Sequence, residues 1–217
     1  MARRTKAEAK ETKKAILEAA ERVFYRQGVA GTSLMDIANE AGVTRGAIYW
    51  HFKNKQDVFA AMICRRQLPM EALVDEVRTN DGRFALEKLH QHFVHTLRQA
   101  AQDEQHRQFY VTVLLKCEMN DENALLLERQ QQIFNSVGAK IALILEHAIK
   151  AGDLPAELNI EKAVPFLQSS ITGLLFSWLL SPESFDLYHY AEGYVSTLLG
   201  GLQFSPAFIK KMNEEKA

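Results

Sequence analysis

Residues 32–55, TSLMDIANEAGVTRGAIYWHFKNK, dictate a short helix, a tight turn and a second short helix, and they constrain the fold more than any other stretch. Ser33 precedes Leu34 with Asp36 three residues on, a capping spacing, and Asp36 suits the positive end of a helix dipole. Ile37, Ala38 and Ala41 supply an inner face, small Ala38 allowing close helix crossing. Gly42 ends this helix after about two turns, and Thr44 caps the next. Two short helices around a glycine-containing turn make a helix-turn-helix.

In the second of these helices Val43, Ala47 and Ile48 face the core, which leaves Arg45, Gly46 and Tyr49 outward. Arg45 has the fork that reads guanine O6 and N7 in a major groove. Gly46, lacking a side chain, lets the helix backbone come close to a duplex. Ser33, Thr44, Tyr49 and His51 have hydrogen-bonding groups for phosphate oxygens, and Trp50 packs either on a sugar-phosphate edge or on the head's own core. Asn54 caps a further helix, whose free N–H groups with Lys55 beside them form a phosphate site. Base contacts would specify and phosphate contacts would position.

The run IAxxAGVTRGxxYxHFxxK within this stretch resembles the helix-turn-helix signature of TetR-type transcriptional regulators. The resemblance implies an all-α protein: a three-helix DNA-binding head at residues 1–55, extending into a linking helix, and a larger helical ligand-binding and dimerisation domain at 56–217. It also implies that Tyr49, His51 and Lys55 contact phosphates and that the segment around Arg45 meets bases. MARRTK, KCE (116–118) and GLLFSWLLSPESFDL (173–187) are similar, more patchily, to the multidrug-efflux repressors of the AcrR and TtgR type within that family. That similarity implies a broad apolar pocket for diverse drugs or plant-type aromatic compounds, and repression of an efflux operon relieved by ligand. A regulator of fatty-acid, quorum-signal or catabolic genes, or an activator, would share the same head, so that choice stays open.

Charge agrees with a head that meets a polyanion. Residues 1–55 hold eleven Lys/Arg and six Asp/Glu, a net +5, whereas the remainder holds fifteen and twenty-one, a net −6. A helix with merely solvated lysines would give the same totals. Cys64 and Cys117 lack a CxxC or metal spacing, as expected in a reducing cytoplasm. The most apolar stretch, residues 163–180, is interrupted by Pro165 and several polar residues and is expected to be a buried helix rather than a membrane span.

Along the rest of the chain the periodicity predicts about nine helices. The first covers 5–27, with Thr5 and Glu8 at capping spacing and Gly28 as its stop, after a basic arm at Arg3, Arg4 and Lys6. Pro69 is expected to kink or interrupt the helix that starts after Asn54. Helices follow at 84–101, near 106–118, at about 121–151, at 160–180 capped by Asn159, and at 187–203 capped by Asp186, before a polar tail.

The last two long helices carry more apolar residues than one face needs, so Trp178, Leu179, Tyr194, Leu198 and Leu202 are expected at a symmetric four-helix interface between two copies. Two heads would then read the half-sites of a palindrome. By helical phase the effector pocket is expected among Met62 and Gln67, then His92, Phe93 and Thr96, then Phe109, Tyr110 and Val113. Phe134, Val137 and Ile141 with Gln168, Ile171, Thr172 and Phe176 complete that set, though any of these residues also suits a plain core position. Ligand binding is expected to shift the helix near Arg65 and Arg66 and so to change head spacing. The rival chemistry is a metal at His90, His92 and His95, but His90 points about 140° from His95 on a helix. No HExxH, GxSxG, P-loop or GxGxxG motif is present, so neither enzyme activity nor a cofactor is expected.

Overall fold

A computed structural model of the chain describes residues 6–80, 82–117 and 124–210. Thr5, the arm residues Arg3 and Arg4, Glu118 of the KCE segment and the expected helix start at Asp121 lie outside the described residues. Nine α-helices are present among the described ones: α1 Lys6–Gln27, α2 Leu34–Glu40, α3 Arg45–His51, α4 Lys55–Thr79, α5 Ala85–Gln102, α6 Glu104–Leu115, α7 Ala124–Ala151, α8 Ile160–Leu180 and α9 Leu187–Phe204. Pro69 lies inside α4 without ending it.

The chain forms two compact units, Met1–Gln67 with Glu104–Ile133, and Leu68–Asp103 with Phe134–Ala217. The division by packing therefore does not fall at Lys55. The reason is hydrophobic: Phe109 of α6 and Leu126 of α7 are buried in one core with Ile16, Phe24, Ile37, Ile48 and Phe59. Phe24 and Phe59 meet edge to face at 5.7 Å. Within this unit Arg65 reaches Glu21 at 3.3 Å, and Arg66 reaches Glu21 at 2.9 Å and His106 Nε2 at 3.0 Å. The end of the first-unit part of α4 is thus tied to both α1 and α6.

In the second unit α5 packs along α9, where Arg98 pairs with Glu192 at 3.0 Å and covers the ring of Tyr188. By length and composition α8 is apolar enough to cross a membrane, contrary to the expectation from its interruptions. Its Ala163, Leu167, Ile171 and Leu175 are buried in the unit, as in a core helix. The stretch after α9 is not a plain polar tail. Pro206–Phe208 forms a 3-10 turn, Ile209 bridges to Leu158, and the Phe208 ring packs on Phe166 at 4.8 Å. Two isolated apolar residues give no periodic signal, so this return is invisible in the sequence.

The interface expectation needs correction by helical phase. Trp178, Leu179, Leu198 and Leu202 are buried within the protomer, and Tyr194 is partly buried with its hydroxyl donating to the Ser170 carbonyl at 3.1 Å. The apolar residues that α8 and α9 leave exposed are Phe176, Leu180, Tyr190 and Phe204.

The expected pocket residues fall in both units. Met62 and Phe109 are buried in the first-unit core, and Tyr110 and Val113 pack against it partly buried. Gln67 lies in α4, but its side chain is outside the described residues. Phe93, Ile141, Ile171 and Gln168 are buried in the second unit, with His92, Thr96 and Val137 partly so. Phe134, Thr172 and Phe176 are instead surface residues, because their phase on α7 and α8 turns them away from their unit's core.

Candidate nucleic-acid interface

The geometry of the head begins at its turns. Gly28 and Gly42 hold φ of +75° and +64°, the left-handed region that favours glycine. Ser33 and Asp36 form the full capping box: Ser33 Oγ accepts from the Asp36 N–H at 3.2 Å, and the Asp36 carboxylate takes the Ser33 N–H at 2.8 Å. The Ser33 hydroxyl also donates to that carboxylate at 2.7 Å. Ser33 is therefore committed first to starting α2, and these bonds hold Asp36 below the usual carboxylate range. Thr44 Oγ1 accepts from the Ala47 N–H at 3.2 Å and starts α3.

The seat of α2 on α1 has no counterpart in the sequence reading. Glu40 receives Arg22 Nε at 2.7 Å and an Arg26 Nη at 2.6 Å. Hydrogen bonds from Arg26 and Arg22 lower the Glu40 pKa to about 2. Arg22 and Arg26 thus brace the head internally, though by charge alone they count toward a polyanion surface. No local motif marks an arginine pair on one helix as partners of a glutamate on the next.

α3 buries Ile48 and presents the other faces to solvent. Arg45, Gly46, Tyr49 and Trp50 are exposed, Trp50 at 72% and Tyr49 at 51%. Trp50 therefore does not pack in the head's core. Its ring meets His51 edge-on at 4.5 Å, and the Arg45 guanidinium sits 5.6 Å from the Tyr49 ring centre. A β-carbon built on Gly46 would meet only Thr44 Oγ1, at 4.0 Å. Glycine within a helix costs about 1 kcal/mol relative to alanine, and internal packing gives no reason for that loss here.

At the start of α4, Asn54 Oδ1 accepts from the Asp57 N–H at 2.8 Å, while Asp57 takes the Lys53 N–H at 3.3 Å. Lys55 behaves differently from a free phosphate ligand. Its ammonium donates to the Ala30 carbonyl at 2.6 Å, which leaves two of its three donors available.

The histidines of the rival reading separate. His90 Nε2 lies 3.0 Å from Ser196 Oγ and 3.6 Å from Glu192, whereas burial lowers the His92 pKa to about 4. Among the described residues no three His, Cys, Asp or Glu side chains gather to hold a metal.

Residues 16–62, which contain all of the helix-turn-helix, match the family described as bacterial regulatory proteins, tetR family, and residues 85–204 match the MAATS-type transcriptional repressor C-terminal region. The chain belongs to the TetR family. The TtgR regulator of Pseudomonas putida is 38% identical over 210 residues, 97% of this chain and 100% of that protein. Among solved structures, NalD, the secondary repressor of the MexAB-OprM multidrug efflux pump in Pseudomonas aeruginosa, aligns at a TM-score of 0.74 and 30% identity, covering 90% of this chain and 97% of NalD. The triclosan complex of SmeT, a Stenotrophomonas maltophilia repressor, aligns at 0.76 and 28% identity, covering 95% and 99%. As a TetR family member the protein is a helix-turn-helix transcriptional regulator with an all-helical body, and it is not an enzyme.

Proposed function

We propose that this protein is a cytoplasmic homodimeric repressor of a multidrug efflux operon, released from a palindromic operator by small hydrophobic or aromatic ligands. The observation that carries DNA reading is the outer face of α3. Arg45, Tyr49 and Trp50 are exposed there, the Arg45 guanidinium over the Tyr49 ring, and Gly46 leaves a space that nothing inside the protein uses, which supports base reading by Arg45. Thr44, His51 and the remaining donors of Lys55 would take phosphates. Efflux control is supported by the likeness to NalD and SmeT, both named as repressors of multidrug pumps.

Effector binding is supported by two polar side chains whose protonation is shifted by burial, Tyr110 in the first unit and His92 in the second. Burial raises the Tyr110 phenol to about 12 and lowers His92 to about 4, so both are neutral near pH 7. A ligand that hydrogen-bonds a neutral, largely buried group of this kind gains from the low local dielectric. An effector releases DNA only if it binds the operator-free arrangement more tightly.

Triclosan, a chlorinated phenolic ether, is the probe suggested by the SmeT complex. Operator affinity is measured by fluorescence anisotropy on a duplex this protein recovers from a random pool. Saturating triclosan is expected to weaken binding about tenfold, within the usual range of coupling energies. An operator Kd that stays constant under triclosan saturating the free protein would overturn the ligand-release reading.

A further inference from the structure

Lys116, which the DNA-reading surface leaves unused, follows the last residue of α6 beside the turn that leads into α2. Lys116 makes two different bonds to that turn. Its ammonium donates to the Tyr25 carbonyl and lies 4.4 Å from the centre of the Tyr25 ring. Its own carbonyl accepts the Val29 N–H at 3.5 Å. In a helix one residue longer, the Val29 N–H would bond to the Tyr25 carbonyl. Lys116 has taken both halves of that bond, the donor on its backbone and the acceptor on its side chain.

The rest of the turn fits this division. The last helical bond is Gly28 N–H to the Phe24 carbonyl, and Gly28 then turns left-handed with its Cβ position 3.6 Å from the Lys116 carbonyl. A cation at a helix C-terminus meets orphan carbonyls and the negative end of the dipole. Arg26, the basic residue α1 itself has in its last turn, is committed to Glu40. Lys55 at the start of α4 donates to the Ala30 carbonyl, so two lysines distant in sequence hold one turn. On the far side of Lys116, the Cys117 sulfur accepts from Gln130 of α7 at 3.2 Å, and the Lys116 N–H closes α6 by donating to Val111.

We infer that Lys116 is a positioning residue for DNA recognition: it fixes where α1 ends and hence where α2 and α3 sit. Tyr110 is on α6 and Lys116 follows directly after that helix, so a ligand that moves α6 moves the two bonds that seat the head. The inference rests on the DNA-binding reading of α3 and gives its regulation a named contact.

The test uses the full-length protein and the variants Lys116→Met, which keeps the stem and loses the charge, and Lys116→Arg. Loss of a charge-assisted bond predicts an operator Kd about tenfold weaker in Lys116→Met, with Lys116→Arg recovering most of it. Amide exchange in the DNA-free protein should quicken at Val29 and through residues 33–52, while α5, α8 and α9 keep wild-type protection. Wild-type operator affinity and exchange in Lys116→Met would overturn the inference, as would uniformly raised exchange with binding lost in step with unfolding. If the wild-type protein retains no duplex, the DNA-binding reading fails, and the exchange pattern still decides whether Lys116 seats the turn.

Discussion

The side-chain amide of Gln168 occupies the space that a β-carbon on Gly138 would need. Gln168 Oε1 lies 3.0 Å from that position and Val164 Cγ1 3.3 Å, and Gln168 Nε2 donates to the Phe134 carbonyl at 3.0 Å, so α8 approaches α7 through an amide with a methyl beside it. Gln168 is buried and bonded, so it cannot swing away freely. Gly138→Ala gains about 1 kcal/mol of helix propensity but overpacks a filled site at about 1–3 kcal/mol. The expected outcome is a lower melting temperature in a thermal melt, and a higher one would contradict this packing.

Acid should loosen the seat of α2 before it unfolds the protein. Glu40 is held at about 2 in the folded state, below its ordinary 4.5. A depressed carboxylate contributes stability that is fully present above the unfolded value and lost as pH falls through the folded one. The contribution of the Arg22 and Arg26 contacts therefore fades between about pH 4.5 and pH 2. Glu40→Gln should flatten the pH dependence of stability in that window, and added salt should shrink the wild-type effect because the group is exposed. An unchanged pH profile in Glu40→Gln would remove Glu40 from the account.

Exposed Leu180 and Tyr190 mark the proposed contact between copies, together with Phe176 and Phe204. Exposed apolar side chains on two helices suit a partner surface, and a symmetric partner would account for α8 and α9 being apolar on two faces. Leu180→Glu with Tyr190→Glu should halve the mass measured by light scattering and weaken operator binding more than about tenfold, because each half-site would be bound alone. A variant that remains dimeric would place the interface elsewhere.

Tyr110→Phe separates ligand recognition from folding. Removing this hydroxyl, whose pKa burial raises to about 12, should leave stability within about 1 kcal/mol of wild type in urea titrations, while triclosan affinity falls several-fold. A variant destabilised by more than about 1 kcal/mol would mean that the phenol has a structural bond.

What the sequence makes legible is local. The capping box of Ser33 and Asp36, the caps Thr44, Asn54, Asn159 and Asp186, and the stop at Gly42 are all read within four residues of where they act. The span 160–180 matches the observed helix at both ends for the same reason. Contacts between distant segments are not legible. Lys116 meets Tyr25 across 91 positions, Gln168 meets Phe134 across 34, and the partners of Glu40 are on another helix. Excess apolarity shows that two faces are covered, not which phase faces inward, and this is why the expected interface residues differ from the exposed ones: Trp178 and Leu202 point in, Leu180 and Phe204 out. The phosphate role of Lys55 comes from the signature alone, which has no information about the Ala30 carbonyl beside it.

The most direct test of the central claim is selection of duplexes from a random pool by the wild-type protein and by Arg45→Ala, with a salt series on the recovered sequence. The expected consensus is an inverted repeat whose half-site centres are separated by whole turns of about 34 Å. Arg45→Ala should lose roughly 1–3 kcal/mol of discrimination at one base pair in each half, while Lys55→Ala weakens all duplexes and flattens the salt slope. A pool that stays random, or one that yields the same consensus with Arg45→Ala as with the wild type, would contradict the assignment of α3 as the reading helix.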